Sequence, residues 1–526
     1  MSLLEELSSL VLPAAQRQKR LEEIASQVSP ENEQWIRAMA EVLPEAVQQL
    51  QQKDLTAAQL RRLIFGAKTE KMRTVCPSTP PPPPKPKGKR PGHGRKGARE
   101  YTGAQRVSVP HLDLHAGMLC PDCRKGKLRG KRAPKVAVTV TAQPPIAAVV
   151  HEMESLRCDL CGKIFTAPTP AQAGAQKYDP TVGVMVAVLR YGSGMPLYRL
   201  EGLQHSMGVP LPASTQWELV EEAARTVQPA FDHLAYLAAQ APTVYNDDTT
   251  MRVGDLRRQI KAEVNPERTG IFTTGIVASA QDHPIALFFT GRRHAGENLG
   301  ELLRRRQTGL PPPIQMCDGL ARNAPKEFKT LLANCLVHSR RDFVDVAEKF
   351  PEECRHVLES LSQVYRFDAQ AKETSLSPEA RLQHHQTYSQ PVMEELHQWL
   401  QNQLDEKKVE PNSGLGKAIS YMLRHWEPLT LFLRVAGAPL DNNVTERALK
   451  MAILHRKNSI AYKTERGAQV GDLFMSLIHS CRLNNANPFD YLVALIRNID
   501  RVKADPAQWM PWNFREAMAS PIASMI

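Results

Sequence analysis

No run in these 526 residues approaches eighteen consecutive apolar side chains, so the sequence offers no membrane-spanning helix. Its first residues also lack the order of a signal peptide, in which a charged stretch precedes an apolar one and a small-residue cleavage site. These two absences predict a soluble cytoplasmic protein. Acid is missing from one tract altogether: residues 85–99 hold Lys85, Lys87, Lys89, Arg90, Arg95, Lys96 and Arg99 and no Asp or Glu. Five of the cysteines, Cys76, Cys317, Cys335, Cys354 and Cys481, stand scattered and read as core or surface thiols rather than ligands.

Lys and Arg number 67 against 55 for Asp and Glu, a net charge of +12, and the excess is clustered, which points to a polyanionic partner. Residues 77–91 carry eight prolines, so the basic tract follows an extended spacer. Such a tether either separates domains or also touches phosphates without reading sequence. Ahead of it, residues 1–75 read as helical: Thr56-Ala57-Ala58-Gln59 has capping-box spacing, and Leu60, Leu63 and Ile64 fall on one face.

Beyond the linker (76–105), Cys120-Pro121-Asp122-Cys123 and Cys158-Asp159-Leu160-Cys161 are two C-x-x-C knuckles separated by 34 residues. Two knuckles supply the four thiolates of a tetrahedral zinc site, and four thiolates leave no open position, so Zn²⁺ over residues 106–166 is predicted to be structural. Seven basic residues between Arg124 and Lys135 give this ribbon-like module a surface for DNA. Residues 167–240 are helical again, with Ser214 placed to cap a long amphipathic segment. They form either a helix-turn-helix or helices packed on the next domain.

The strand-like Pro242-Thr243-Val244-Tyr245-Asn246-Asp247 ends in an acid. Strand patterns follow at 270–278 and 284–290, then a helix over 295–306, then Ile314-Gln315-Met316-Cys317-Asp318, a further strand ending in an acid. That order predicts an α/β, ribonuclease H-like core. Two divalent cations need carboxylates from different elements, and a helix entering behind Asn442-Asn443 supplies a third, Glu446. Taken locally, Asp441 or Asn442 would cap that helix and Glu446 would pair with Lys450.

The chain resembles the transposases of the insertion sequence 66 family, DDE enzymes with a zinc-binding module. Four stretches carry the likeness: Leu63-Ile64-Phe65-Gly66 with Thr69-Glu70-Lys71; the knuckles; Cys335 through His338, Arg340 and Arg341 to Phe343; and Asp441-Asn442-Asn443 through Glu446-Arg447 to Arg456-Lys457-Asn458. The resemblance implies a catalytic domain over 241–470 with a helical insertion at about 345–435, and a C-terminal helical region over 471–526. It places the metal-binding triad on Asp247, Asp318 and Glu446, served by two Mg²⁺ or Mn²⁺ ions, with Asn442 and Asn443 helping to orient Glu446.

His338, Arg340, Arg341, Arg456 and Lys457 become candidate phosphate contacts, beside the linker cations. Residues 461–467 are more charged than the family pattern, which bears on local DNA contacts rather than on the triad. The implied partners are inverted-repeat ends and target DNA, a second copy of the chain, and accessory proteins of the same element. Two other readings share parts of this pattern: a zinc-containing DNA-binding protein without catalysis, and a ribonuclease H-like repair or junction nuclease that cuts without strand transfer.

Overall fold

The computed structural model describes residues 108, 113–128, 145–157, 164–170 and 176–520. The chain divides into two units, residues 83–343 with 356–526 and residues 1–82 with Val344–Arg355; of the latter only Val344–Arg355 are described. The expected N-terminal helical region, the linker cations Lys85 to Arg99, and Cys158 and Cys161 therefore lie outside the described residues.

A short antiparallel hairpin, β1 (Ser155–Arg157) and β2 (Ile164–Thr166), precedes three helices: α1 (Pro180–Ala187), α2 (Leu197–Ser206) and α3 (Ala213–Gln240). Asp179 caps α1 by accepting the Thr181 N–H at 2.9 Å. Ser214 does not cap α3. The helix already starts at Ala213 behind Pro212, which fixes the backbone entry without a side-chain bond. One face of α3 is buried through Val220, Val227, Leu234 and Ala238 and packs on the central sheet. The long helix α3 thus packs against strands of the next domain, and α2 precedes it across a six-residue connection.

The sheet has five strands: β3 (Thr243–Thr250), β4 (Phe272–Ala280), β5 (His283–Gly291), β6 (Ile314–Cys317) and β7 (Leu331–Asn334). Their spatial order is β5-β4-β3-β6-β7. The first three form an antiparallel meander rich in β-branched and aromatic residues, and β6 and β7 add parallel to β3. The helix α4 (Gly254–Ala262) between β3 and β4, and the four-residue β7, were not legible in the sequence. The helix after β5, α5 (Ala295–Leu303), stops three residues before the expected end.

After β7 come α6 (Leu336–Val346), α7 (Pro351–Glu373), α8 (Pro378–Tyr388), α9 (Gln390–Asp405), α10 (Gly414–Arg424) and the one-turn α11 (Trp426–Leu429). Asp368 fastens α7 to α8: its buried carboxylate takes Arg381 Nη2 at 2.6 Å, Lys372 Nζ at 2.7 Å and His385 Nε2 at 3.3 Å. Burial alone would push that carboxyl up, but His385, Lys372 and Arg381 hold it well below the usual carboxylate range.

The chain then returns through α12 (Asn443–Ser459), α13 (Glu465–Leu483), α14 (Pro488–Arg497), α15 (Ile499–Ala504) and α16 (Phe514–Ala519). Helix α13 closes the β5 edge with side chains. Asp472 accepts from Thr290 N at 2.6 Å, Ser476 Oγ from Phe288 N at 2.9 Å, and Ser480 Oγ from Ala286 N at 3.1 Å. Among the described residues no helix is long and apolar enough to cross a membrane.

Candidate active site

Strand β3 delivers Asp247, and its parallel neighbour delivers Asp318. Tyr245 and Met316 are register partners, so each acid lies two positions further along its own strand, on the same face of the sheet. The next residue, Asp248, points the other way. Its side chain is 2% exposed, and its carboxylate meets His294 Nδ1 at 3.0 Å, at the start of α5, and Arg322 Nη2 at 3.4 Å.

Glu446 comes from the first turn of α12, whose position is set by a glycine. Gly275 is the cross-strand partner of Asp247, and a Cβ there would stand 3.0 Å from Leu449 Cδ2 and 3.4 Å from Thr445 Cγ2. The missing side chain thus lets α12 lie directly over β4, which puts the residue after Thr445 beside Asp247. Asn442 begins the helix without capping it: its carbonyl accepts the Thr445 and Glu446 N–H groups at 3.1 and 3.2 Å, while its side chain donates to Asn246 O at 3.1 Å. Asp441 Oδ1 takes the Asn443 N–H instead, at 3.1 Å. The Glu446 carboxylate faces His338 Nε2 at 3.8 Å, and among the described residues no ion pair links it to Lys450.

Burial raises the Asp247 carboxyl to about 7, and the charges of Asp318, Asp248 and Glu446 push in the same direction, against the Asp248 N–H bond at 2.8 Å. Asp247 therefore senses both of the other candidate acids. Glu446 Oε1 is buried with no hydrogen-bond partner among the described residues. No group of three or more His, Cys, Asp or Glu among the described residues is arranged to hold an ion. Bare carboxylates repel one another, so a hard divalent cation supplied from solution would offset the charge of this half-buried set, with the unpaired Glu446 Oε1 as one candidate oxygen.

Of the candidate phosphate contacts, His338 lies at the rim, 28% exposed. Arg340 and Arg341 follow on α6 and are half-buried. Arg456 is held by the end of β3, donating to Thr249 Oγ1 at 3.3 Å, to Thr250 Oγ1 at 2.6 Å and to the Thr250 carbonyl. Lys457 is exposed. At the first knuckle the backbone folds back, with Cys120 N–H donating to Gly126 O at 2.6 Å and Arg124 N–H to Cys120 O at 2.9 Å. Backbone N–H groups of Gly126 and Lys125, then the Cys120 thiol, lower the Cys123 pKa, as suits a metal-binding thiolate. The hairpin strands β1 and β2 flank residues 158–163, which carry the second knuckle and lie outside the described residues.

Sequence reasoning missed two features of the site. Three buried amides, Asn246, Gln315 and Asn323, join the expected Asn442 around the acids, and for Asn246 and Gln315 a polar residue inside an apolar strand was the available signal. The helical insertion also reaches the site: a side chain on Gly319 would collide with the Tyr421 hydroxyl from α10, so Asp318-Gly319 is a close approach rather than only a turn. Burial first, then the Asp342 and Asp318 charges, push Tyr421 up to about 12.

A family model described as "Transposase IS66 family" matches residues 176–470. The uncharacterized protein y4jD of Sinorhizobium fredii is 27% identical over 522 residues, covering 90% of this chain and 98% of its own. A second uncharacterized protein of that bacterium, y4hP, is 25% identical over 419 residues, covering 76% of this chain and 74% of its own.

Proposed function

Because this chain belongs to the IS66 family of transposases, whose match spans more than half of its length, we propose that it cuts the inverted-repeat ends of an insertion sequence and joins them to target DNA. The observation that supports this reading is that the charges of Asp318, beyond the parallel strand β6, and Glu446, in the first turn of α12, both act on Asp247, which burial raises to about 7. An antiparallel meander extended by two parallel strands, in the order β5-β4-β3-β6-β7, is also the strand arrangement of a ribonuclease H-like core, and it supports a DDE assignment. Mg²⁺ or Mn²⁺ held by these three acids would supply charge neutralisation at a phosphodiester undergoing in-line attack by water or a 3′ hydroxyl. The protein's own part is to hold the acids on rigid elements and to place His338 beside the site.

The test is cleavage and strand transfer on duplexes carrying the element's inverted repeats. Asp247→Asn, Asp318→Asn and Glu446→Gln should each abolish cleavage while DNA binding stays within a few-fold, since phosphate contacts elsewhere supply most of the affinity. Asp248→Asn, on the opposite face, should have the smaller effect. Near wild-type cutting by any one of the three variants would remove that acid from the site. Cleavage without joining would make the protein a nuclease.

A further inference from the structure

Asp318 receives two N–H donors, and both fall on one oxygen. Leu320 N–H reaches Oδ1 at 3.2 Å, and Asn323 Nδ2 donates to the same atom. Asn323 is 1% exposed and closes the single 3₁₀ turn Ala321–Asn323. Its main-chain carbonyl is gripped from two strands, by Asn246 Nδ2 at 2.8 Å and Gln315 Nε2 at 2.7 Å, and Gln315 Nε2 also reaches Asn246 Oδ1 at 2.9 Å. Asn246 directly precedes Asp247, and its own carbonyl takes Asn442 Nδ2 at 3.1 Å, four residues before Glu446. One uncharged, buried cluster thus touches the segments of all three acids. Being neutral, it fixes their spacing without adding to their repulsion.

We propose that Asn323 is a positioning residue for Asp318: it ties down Oδ1 and so presents Oδ2 alone to a divalent cation. An unpinned carboxylate turns about its Cβ–Cγ bond and must lose that freedom on binding; here the donor has already removed it. The inference rests on the metal-site reading above.

The measurement is calorimetric titration of the DNA-free full-length protein with Mn²⁺. Asn323→Leu roughly keeps the side-chain volume and the main-chain carbonyl that Asn246 and Gln315 hold, and removes the donor together with an amide oxygen that has no hydrogen-bond partner among the described residues. It should weaken Mn²⁺ binding by about tenfold or more, in the range of lost ligand-orienting contacts. Asn323→Ala, which removes the donor without adding bulk, should show the same loss.

Thr330→Val serves as the control. It removes the 2.8 Å Thr330 Oγ1 bond to Gln315 Oε1 at the far end of the cluster, so it should lower the melting temperature and leave Mn²⁺ affinity nearly unchanged. Wild-type Mn²⁺ affinity in both Asn323 variants, or an equal loss in Thr330→Val, overturns the proposal. Asp318→Asn separates the two levels. If it loses Mn²⁺ while the Asn323 variants keep it, only the positioning role fails; if it binds Mn²⁺ as wild type does, the metal site fails and the positioning role with it.

Discussion

At Asp472 a single carboxyl lies fully inside the protein, accepting Thr290 N–H at 2.6 Å and Thr290 Oγ–H at 2.7 Å. Burial raises it from the ordinary 3.8 to about 7, with the two Thr290 bonds acting against the rise. The sign follows directly. Between these values the folded chain keeps a proton that the unfolded chain has released, so the stability tied to Asp472 is complete below pH 3.8 and is lost as pH rises through about 7. Asp472→Asn keeps an acceptor for the Thr290 N–H and removes the titration. The melting temperature of wild type should therefore fall more steeply than that of the variant between pH 4 and pH 7. Asp247, shifted in the same direction, is common to both proteins and cancels in the comparison. Parallel melting curves across this range would show that Asp472 does not titrate there.

The element that holds Asp472 solves a problem of sheet edges. Strand β5 is an edge, and the N–H groups of Ala286, Phe288 and Thr290 point outward, where another strand could pair with them. Four residues of helix rise about 6 Å and two of strand about 6.7 Å, so Asp472, Ser476 and Ser480 keep step with alternate residues of β5. Ser476→Ala would leave the Phe288 N–H buried without its acceptor, at a cost of about 1–3 kcal/mol. Urea unfolding checks this, with Ser206→Ala as the comparison: Ser206 is exposed, its hydroxyl only reaches back to Gly202 O, and its loss should change little. Equal midpoints for the two variants would mean that water or a shifted backbone satisfies β5.

For the whole molecule the expectation concerns two separately held parts. The core carries its own large buried side chains, among them Tyr191, Phe288, Phe474 and Trp509. The knuckle region exposes apolar residues instead, with Val149, Val150 and Ile164 exposed at 78%, 84% and 63%. A segment with so little burial depends on other constraints, and zinc in such sites supplies on the order of 10 kcal/mol of folding free energy. Purified protein should therefore hold one structural zinc, and Cys123→Ser should lose it, open residues 106–166 to protease and weaken binding to element ends. The core should still melt cooperatively. Metal analysis showing full zinc in the variant would remove Cys123 from the ligand set.

The sequence by itself determined the strands that carry Asp247 and lead into Asp318, although β3 runs on to Thr250 rather than ending at Asp247, and also the helix that carries Glu446 and the spacing of the paired knuckles, because each is written in neighbouring residues as a period, a terminus or a short spacing. It also determined the family, through the motifs that recur along the chain. It did not disclose β7, whose four residues are too few to show a period, or α4, read over between two strands. Only the tertiary structure decided that the Asn442 side chain serves Asn246 while its carbonyl opens the helix, that Arg456 holds the end of β3, that Tyr421 of the insertion closes on Gly319, and that α13 seals β5. These partners stand 196, 206, 102 and 188 positions apart. A contact across such a separation leaves no local pattern, since either residue alone satisfies the same preference at many surface positions; for Asn442 with Asn246 and Ser476 with Phe288, burial of both ends makes the pairing obligatory.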